Sequence, residues 1–215
     1  MKEQDGAAMI KELPTADIFL YQPAGKMDPV PSTDDIVKFH LSERCSCVSF
    51  PYLYNHGFFP FLEAEGSFSA QLKYLLSTKV RNVFLEYNGG IINFECGRRF
   101  IECLAEQSKR EQLMDVKMTD WILANYRKQK LFLSENHPTS ATYVEITRRI
   151  LVQLEIFEPK GMTWTDVNEV GMNGVMPLHD AVVKELGLEY QADPEAHNYY
   201  RYSLEKIINL PKVLK

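Results

Sequence analysis

The chain has 215 residues, of which 45% are hydrophobic and 25% charged, with a formal net charge of −5. This length supports one sizeable α/β domain, and the acidic balance gives no indication of nucleic-acid binding. No apolar run reaches the roughly 18 residues of a membrane-spanning helix, the polar residues 1–13 are unlike a secretory signal, and four cysteines do not form a disulfide framework. We therefore expect a cytoplasmic location.

Short apolar strands alternate with amphipathic helices along the chain. Strands are predicted at 18–21, 47–50 and 131–133, and helices within 1–14 and at 33–41, 68–78, 97–114, 119–126, 143–154, 177–186 and 199–208. Residues 83–85 fit either element, and Ser32 is predicted to cap the second helix. The alternation predicts an α/β fold with three α/β/α layers around a small, mostly parallel sheet, as in flavodoxin-like proteins. Residues 1–215 are expected to form one domain, with 159–215 as a helical extension packed on it.

The histidine that follows the third apolar strand is the main candidate for catalysis. His137 lies between this strand and a helix, at the sheet edge where α/β proteins bind ligands, and histidine transfers protons near neutral pH. Asn136 and Gln22 are predicted to orient it or to stabilise an oxyanion, and Thr139 and Ser140 open the following helix, whose amides attract anions. Alternatively, His137 only ends a strand and Gln22 only caps a turn.

The loop from Pro51 to Phe61 is unusually rich in aromatic residues. Aromatic rings stack on sugars or on an adenine ring, but they also fill cores. The loop is therefore either a ligand-binding wall or a satellite of the core. The predicted binding residues are Tyr52, Tyr54, Asn55, His56, Gly57 and Phe58.

Other polar and cysteine residues have less specific interpretations. Arg110 is either part of a solvated helix face or, with Glu111, an inward-facing pair that holds a loop or binds a charged ligand. Cys96 and Cys103 lie seven apart on a predicted helix, so burial as small hydrophobic residues is expected. His179 is a helix cap or a secondary candidate, and no metal site is expected.

Several short blocks in a fixed order resemble the WcbI family of polysaccharide-biosynthesis acetyltransferases. The resemblance runs from about residue 13 to residue 190. The blocks are Ala16-Asp17 with Gln22, Pro51-x-x-Tyr54-x-x-Gly57-Phe58-x-Pro60, Arg110-Glu111 with Asp115, Asn136-His137-Pro138-Thr139, and Pro177-Leu178-His179 with Leu186-Gly187-Leu188.

The resemblance implies an SGNH-hydrolase-like fold, coenzyme A or acetyl-CoA as co-substrate, and His137 as the base. The chain departs from the family pattern at Ser134, where such hydrolases carry an aspartate, and at Phe59 and Phe61, where a histidine and an acidic residue are expected. It also lacks the opening Gly-Asn-Cys-Gln turn. Two explanations stay open: the chain is one domain of a longer protein, or it is a version without that turn.

The predicted function is transfer of an acetyl group from acetyl-CoA to a sugar hydroxyl or amine in polysaccharide biosynthesis. The expected partners are a sugar, nucleotide-sugar or glycan acceptor and either an amino-terminal partner domain or a second copy of the chain. The alternatives are an SGNH-like esterase, which needs a nucleophile near His137, and a non-catalytic module that binds a carbohydrate or nucleotide.

Overall fold

The computed structural model describes residues 10–25, 31–59, 85–90, 92–157 and 175–209. Four short strands are present there: β1 (Ile18–Tyr21), β2 (Ser46–Ser49), β3 (Phe132–Ser134) and β4 (His137–Pro138). The helices are α1 (Thr33–Phe39), α2 (Cys96–Glu111), α3 (Thr119–Asn125), α4 (Ser140–Gln153), α5 (Asp180–Leu186) and α6 (Ala196–Asn209). Short 3-10 helices lie at Leu13–Thr15 and His56–Phe58.

The chain is a mixed α/β protein that divides into two compact units. The first comprises Met1–Tyr52, Gln107–Asp120 and Tyr143–Asp166, and the second comprises Leu53–Glu106, Trp121–Thr142 and Val167–Lys215. The interpretation of residues 1–215 as one domain stays a prediction. The predicted helix at 68–78, Phe61 and much of the predicted 159–215 extension lie outside the described residues.

In the first unit, β1 and β2 pair in parallel, with Leu20 opposite Val48. Ser32 caps α1 as predicted, because its side chain accepts a hydrogen bond from the Asp35 amide at 3.1 Å. The end of β2 is fixed by Asp115, whose carboxylate accepts from both the backbone amide and the hydroxyl of Ser49, at 2.8 and 2.6 Å.

The core of the second unit is aromatic. Phe58 packs edge-to-face on Phe100 at 5.5 Å between ring centroids and lies 5.7 Å from Phe132, while Phe100 lies 4.3 Å from Tyr126. Such pairs stabilise a core beyond the area they bury. Cys96 and Cys103 are buried on α2, which confirms the interpretation of these thiols as core residues.

The sheet prediction needs one correction, because the strand before His137 is antiparallel to its partner. The chain reverses in a two-residue turn, Glu135-Asn136, and His137-Pro138 returns as β4 alongside β3. His137 therefore lies on a hairpin strand rather than in a strand-to-helix loop. The described strands form two separate two-stranded sheets, one parallel and one antiparallel.

Membrane insertion finds no support in the described helices. None of them combines the length and the apolar character that a bilayer-spanning segment requires.

Candidate functional site

A serine–histidine contact lies across the β3–β4 hairpin. Ser134 and His137 are direct partners in the strand register, so their side chains leave the same face of the hairpin. The Ser134 Oγ atom lies 2.6 Å from Nδ1 of His137. Ser134 is buried and His137 is exposed. The hairpin thus holds an exposed imidazole against a fixed hydroxyl, and solvent can reach it.

Ser134 has two hydrogen-bond partners that bear on the tautomer of His137. Its hydroxyl donates to Oδ1 of Asn136 at 3.3 Å, and its Oγ atom lies 2.6 Å from Nδ1 of His137. With the serine proton on the Asn136 side, the hydroxyl oxygen accepts from Nδ1–H of His137. In that tautomer the remaining ring nitrogen, Nε2, carries a lone pair and has the form of a general base.

The turn of the same hairpin binds the aromatic loop. The Glu135 carbonyl accepts a hydrogen bond from the Asn55 amide at 2.7 Å. The Glu135 carboxylate is buried, and its Oε2 atom lies 3.4 Å from Nδ1 of His56. The structure therefore brings the predicted loop residues Asn55 and His56 to the hairpin that carries His137.

Half of the predicted loop residues face the core. Asn55, Gly57 and Phe58 are buried, and the Asn55 side chain accepts from the Gly57 amide at 2.8 Å. In this conformation these three shape the loop, whereas Tyr52 is exposed, and Tyr54 and His56 are partly exposed. The core interpretation thus applies to Asn55, Gly57 and Phe58, whereas ligand binding by Tyr52, Tyr54 and His56 stays a prediction.

The start of α4 is tied to β3. The Thr139 hydroxyl is buried and donates to the Lys130 carbonyl at 3.2 Å, and the Thr139 amide donates to the Leu131 carbonyl at 3.0 Å. Ser140 is half-buried at the first position of the helix. Thr139 thus fixes the segment between the candidate base and α4.

The first unit holds the other two predicted site residues. The Gln22 side chain is exposed and its amide nitrogen donates to the Pro51 carbonyl at 3.3 Å. Arg110 donates to the Tyr52 carbonyl at 3.3 Å, which agrees with the alternative in which it holds a loop, while its ligand-binding role stays a prediction. Its neighbour Glu111 is buried and accepts from the amide and hydroxyl of Thr119, so this pair is not a solvated face.

A second cluster, which the sequence did not predict as a group, surrounds His179 in the second unit. His179 caps α5 as predicted, since its Nδ1 atom accepts from the Ala181 amide at 3.1 Å. Its Nε2 atom lies 3.1 Å from the Tyr87 hydroxyl, which itself donates to the His197 carbonyl at 2.8 Å. The Tyr87 and His197 rings stack at 4.8 Å. No local pattern marks Tyr87 or His197, since their partners are distant in the sequence.

Burial sets the protonation of this cluster. It lowers the pKa of His179 below the ordinary 6.5, and this effect exceeds the opposing one of Asp180, whose carboxylate lies 2.9 Å from Nδ1. The accepted Ala181 bond agrees with a neutral imidazole. Burial also raises the pKa of the Tyr87 hydroxyl. His179 is thus a neutral donor to Tyr87 through Nε2.

Metal ligands are not grouped in the part of the chain that the structure describes. None of its His, Cys, Asp and Glu side chains form a cluster of three suited to a metal ion.

Comparison with known proteins identifies the fold. The family model described as polysaccharide biosynthesis enzyme WcbI matches residues 97–159. A solved structure of WcbI superposes on 98% of this chain and 78% of its own, with a TM-score of 0.71 and 21% sequence identity. The chain is similar to WcbI in its fold and, over residues 97–159, in its sequence. The resemblance predicted from the short sequence blocks is thereby confirmed. No curated protein matches the sequence significantly.

WcbI itself is a novel polysaccharide biosynthesis enzyme. The solved structure is of its native form, without a disulfide bond between coenzyme A and one of the WcbI cysteines. At 21% identity the likeness to the present chain shows a shared fold. The matched segment 97–159 includes both Ser134 and His137, so the hairpin lies within the family match.

Proposed function

We propose that the chain is a CoA-dependent acetyltransferase that acetylates a hydroxyl or an amine of a sugar, nucleotide sugar or glycan in polysaccharide biosynthesis. The observation that carries this proposal is the exposed imidazole of His137, fixed by the buried hydroxyl of Ser134 at 2.6 Å. The likeness to a polysaccharide biosynthesis enzyme whose structure is described together with CoA supports the class of reaction.

In the proposed step, Nε2 of His137 takes the proton from the acceptor hydroxyl or amine while that group attacks the acetyl carbonyl. Acetyl-CoA supplies an acyl group already activated as a thioester, so no enzyme nucleophile is required. As the carbon–sulfur bond breaks, the leaving thiolate takes the proton back from His137. Ser134 holds the ring so that Nε2 stays directed outward.

The remaining predicted residues have supporting roles in this proposal. Asn136 is the proposed amide donor to the developing oxyanion, a contribution that is strong where donors are preorganised. The oxyanion role of Gln22, which belongs to the first unit, stays a prediction from the sequence. Tyr54 and His56 form the proposed sugar-facing wall, and Thr139 and Ser140 fix the surrounding backbone or contact the cofactor. The binding roles of Tyr52 and Arg110, which belong to the first unit, stay predictions from the sequence. We further propose an SGNH-like three-layer arrangement, a single domain, a cytoplasmic location, and an amino-terminal partner domain or a second copy as partner.

Replacement of the candidate base tests the mechanism. We expect His137→Ala to lower thiol release from acetyl-CoA, measured with a panel of sugars and nucleotide sugars, by roughly 10²–10⁴-fold. Ser134→Ala should lose less, because it keeps the base itself and removes only the hydroxyl that orients it. His40→Ala, at the end of α1, is the control. Normal turnover in His137→Ala would contradict the assignment of His137 as the base.

A second function, ester hydrolysis, is favoured by the same serine–histidine contact, since hydrolases pair these residues. Against it, Ser134 is buried and bonds to Nδ1 across a hairpin, without a strand-to-helix elbow. Release of p-nitrophenol from p-nitrophenyl acetate without CoA, lost in Ser134→Ala, would support the hydrolase. Retention of acetyl transfer in Ser134→Ala would exclude Ser134 as a nucleophile.

A further inference from the structure

A cleft in the second unit shares no lining residue with the β3–β4 hairpin. Its volume is about 400 Å³. Its lining comes from three parts of the chain. These are residues Tyr87 to Gly90 with Ile92 and Phe94, residues His179 to Ala181 with Lys184 at α5, and His197 at the start of α6. Nothing in the proposed acetyl-transfer step uses these residues.

One wall of the cleft is a platform of stacked rings. The His197 ring is exposed and lies nearly parallel to the buried Tyr87 ring, with 15° between the planes and 4.8 Å between centroids. The Tyr87 ring is itself fixed, because its hydroxyl bonds both to His179 and to the His197 carbonyl. A planar heteroaromatic ring can stack on such a platform with little further ordering of the protein.

The rim of the cleft carries groups that suit the rest of a nucleotide. Asn88 is exposed at the cleft and has the amide that pairs with the donor–acceptor edge of adenine. Gly89 and Gly90 follow it, and Gly90 has a φ of +65° and no atom within 4 Å of the place of a side chain, so a ligand can approach the backbone closely. Lys184 is exposed and offers an ammonium group to a phosphate.

Asp180 also lies at the rim, where its negative charge opposes the positive charge of Lys184. A hydrogen bond made by the Asp180 carboxylate limits this opposition. That carboxylate accepts from the Ala181 amide at 3.0 Å. Asp180 and Lys184 lie four residues apart on α5, one helical turn. The rim is therefore close to neutral, and stacking rather than charge is expected to dominate the affinity.

The cleft also lies near the candidate base along the backbone. The Met176 amide donates to the carbonyl of Leu133, next to Ser134, at 2.7 Å. His179 follows Met176 by three residues, a span of at most about 10 Å even for a fully extended chain. One extended ligand can thus reach from the platform towards the hairpin.

We propose that this cleft binds the adenine nucleotide portion of the coenzyme, with the base stacked on His197, its edge on Asn88 and a phosphate on Lys184. This inference rests on the proposed function, because it names where CoA is held. It adds a binding site to a region for which the sequence predicted His179 alone, as a helix cap or a secondary candidate.

Calorimetric titration with AMP and with CoA tests the site. His197→Ala and Lys184→Met should each weaken both ligands by about five- to tenfold, and AMP should compete with CoA. His40→Ala and Lys109→Met, which replace the same residue types away from the cleft, should bind as the wild type does. Thermal unfolding checks that each variant is folded. Asn88→Ala is a surface variant that removes the proposed contact with the adenine edge and leaves the stacked rings intact.

The outcomes separate this inference from the function on which it rests. Joint weakening of AMP and CoA in the cleft variants, with normal controls, supports the site. CoA binding that is tight, is not competed by AMP and is unchanged in the cleft variants would overturn the site. The acetyltransferase proposal would then still stand. An absence of binding by either probe overturns both the site and the use of CoA.

Discussion

At the scale of single residues, Ser134 stands three residues before His137, where the predicted resemblance to SGNH hydrolases leads us to expect an aspartate that orients the histidine. A carboxylate would accept a hydrogen bond from the ring N–H and also stabilise the charged form of the ring. In the tautomer with Nδ1–H, the neutral Ser134 hydroxyl does only the first, and its own proton is donated to Asn136 in a hydrogen bond. An acyl donor that is already activated places a smaller demand on the base than an ester does. The serine is thus consistent with transfer from a thioester.

Gly57 is the residue at which the aromatic loop tolerates no side chain. A Cβ atom there would lie 2.6 Å from Cβ and 2.7 Å from Cα of Phe100, and these atoms belong to α2 and cannot move cheaply. We expect Gly57→Ala to lower the free energy of unfolding by about 1–3 kcal/mol. Gly25→Ala, with no atom within 4 Å of the new methyl group, is the control.

Denaturant unfolding measures this difference. The midpoint for Gly57→Ala should fall below those of the wild type and of Gly25→Ala. Equal midpoints for all three proteins would show that the loop does not pack on Phe100 as described.

At the scale of elements, the ends of helices and strands are fixed by short-range hydrogen bonds. Ser32 opens α1 and His179 opens α5, while Gly187 closes α5 with a φ of +63°. Each satisfies backbone groups that a helix end leaves without partners. These ends follow from neighbouring residues, which is why the caps at Ser32 and His179 were predictable from sequence.

The cap of α1 gives a prediction at this scale. Ser32→Ala removes the acceptor of the Asp35 amide and is expected to lower the free energy of unfolding by about 1 kcal/mol. Ser108→Ala, at an exposed position within α2, should be neutral or slightly stabilising because alanine favours helix. Thermal denaturation of both variants tests this, and equal melting temperatures would contradict the cap.

The β3–β4 hairpin is the element that the local sequence pattern was insufficient to predict. The apolar run at 131–133 correctly indicates a strand, but the period of a strand does not show the direction of its partner. Only the reversal at Glu135-Asn136 places Ser134 opposite His137. The predicted strand is therefore confirmed, whereas the predicted position of His137 in a loop is wrong.

At the scale of the whole molecule, protonation of buried groups links stability to pH. Because burial lowers the pKa of folded His179 below 6.5, the unfolded chain binds more protons than the folded chain just below that pH. The stability that this neutral imidazole contributes is present above pH 6.5. It is lost progressively as the pH falls from 6.5 towards the lowered pKa of the folded protein.

Replacement of this histidine tests the linkage. His179→Asn keeps an N-cap acceptor but removes the titrating group, so the melting temperature of the variant should fall less than that of the wild type between pH 6.5 and 5. His40→Asn, at the end of α1, serves as control and should retain the wild-type slope. A wild-type slope in His179→Asn would show that other groups govern the acid response.

Local patterns of the sequence alone determined the approximate positions of β1, β2, β3 and the helices α1 to α6, the caps at Ser32 and His179, and the burial of Cys96 and Cys103. The order of its short blocks indicated the WcbI resemblance. These features depend on residues a few positions apart, and hydrophobic spacing and capping are sufficient to predict them. The tertiary structure decided the contact of Ser134 with His137, the attachment of the aromatic loop to Glu135 and the stack of Tyr87 on His197. Those contacts join residues across a chain reversal or far apart in sequence, so they form only when the chain has folded.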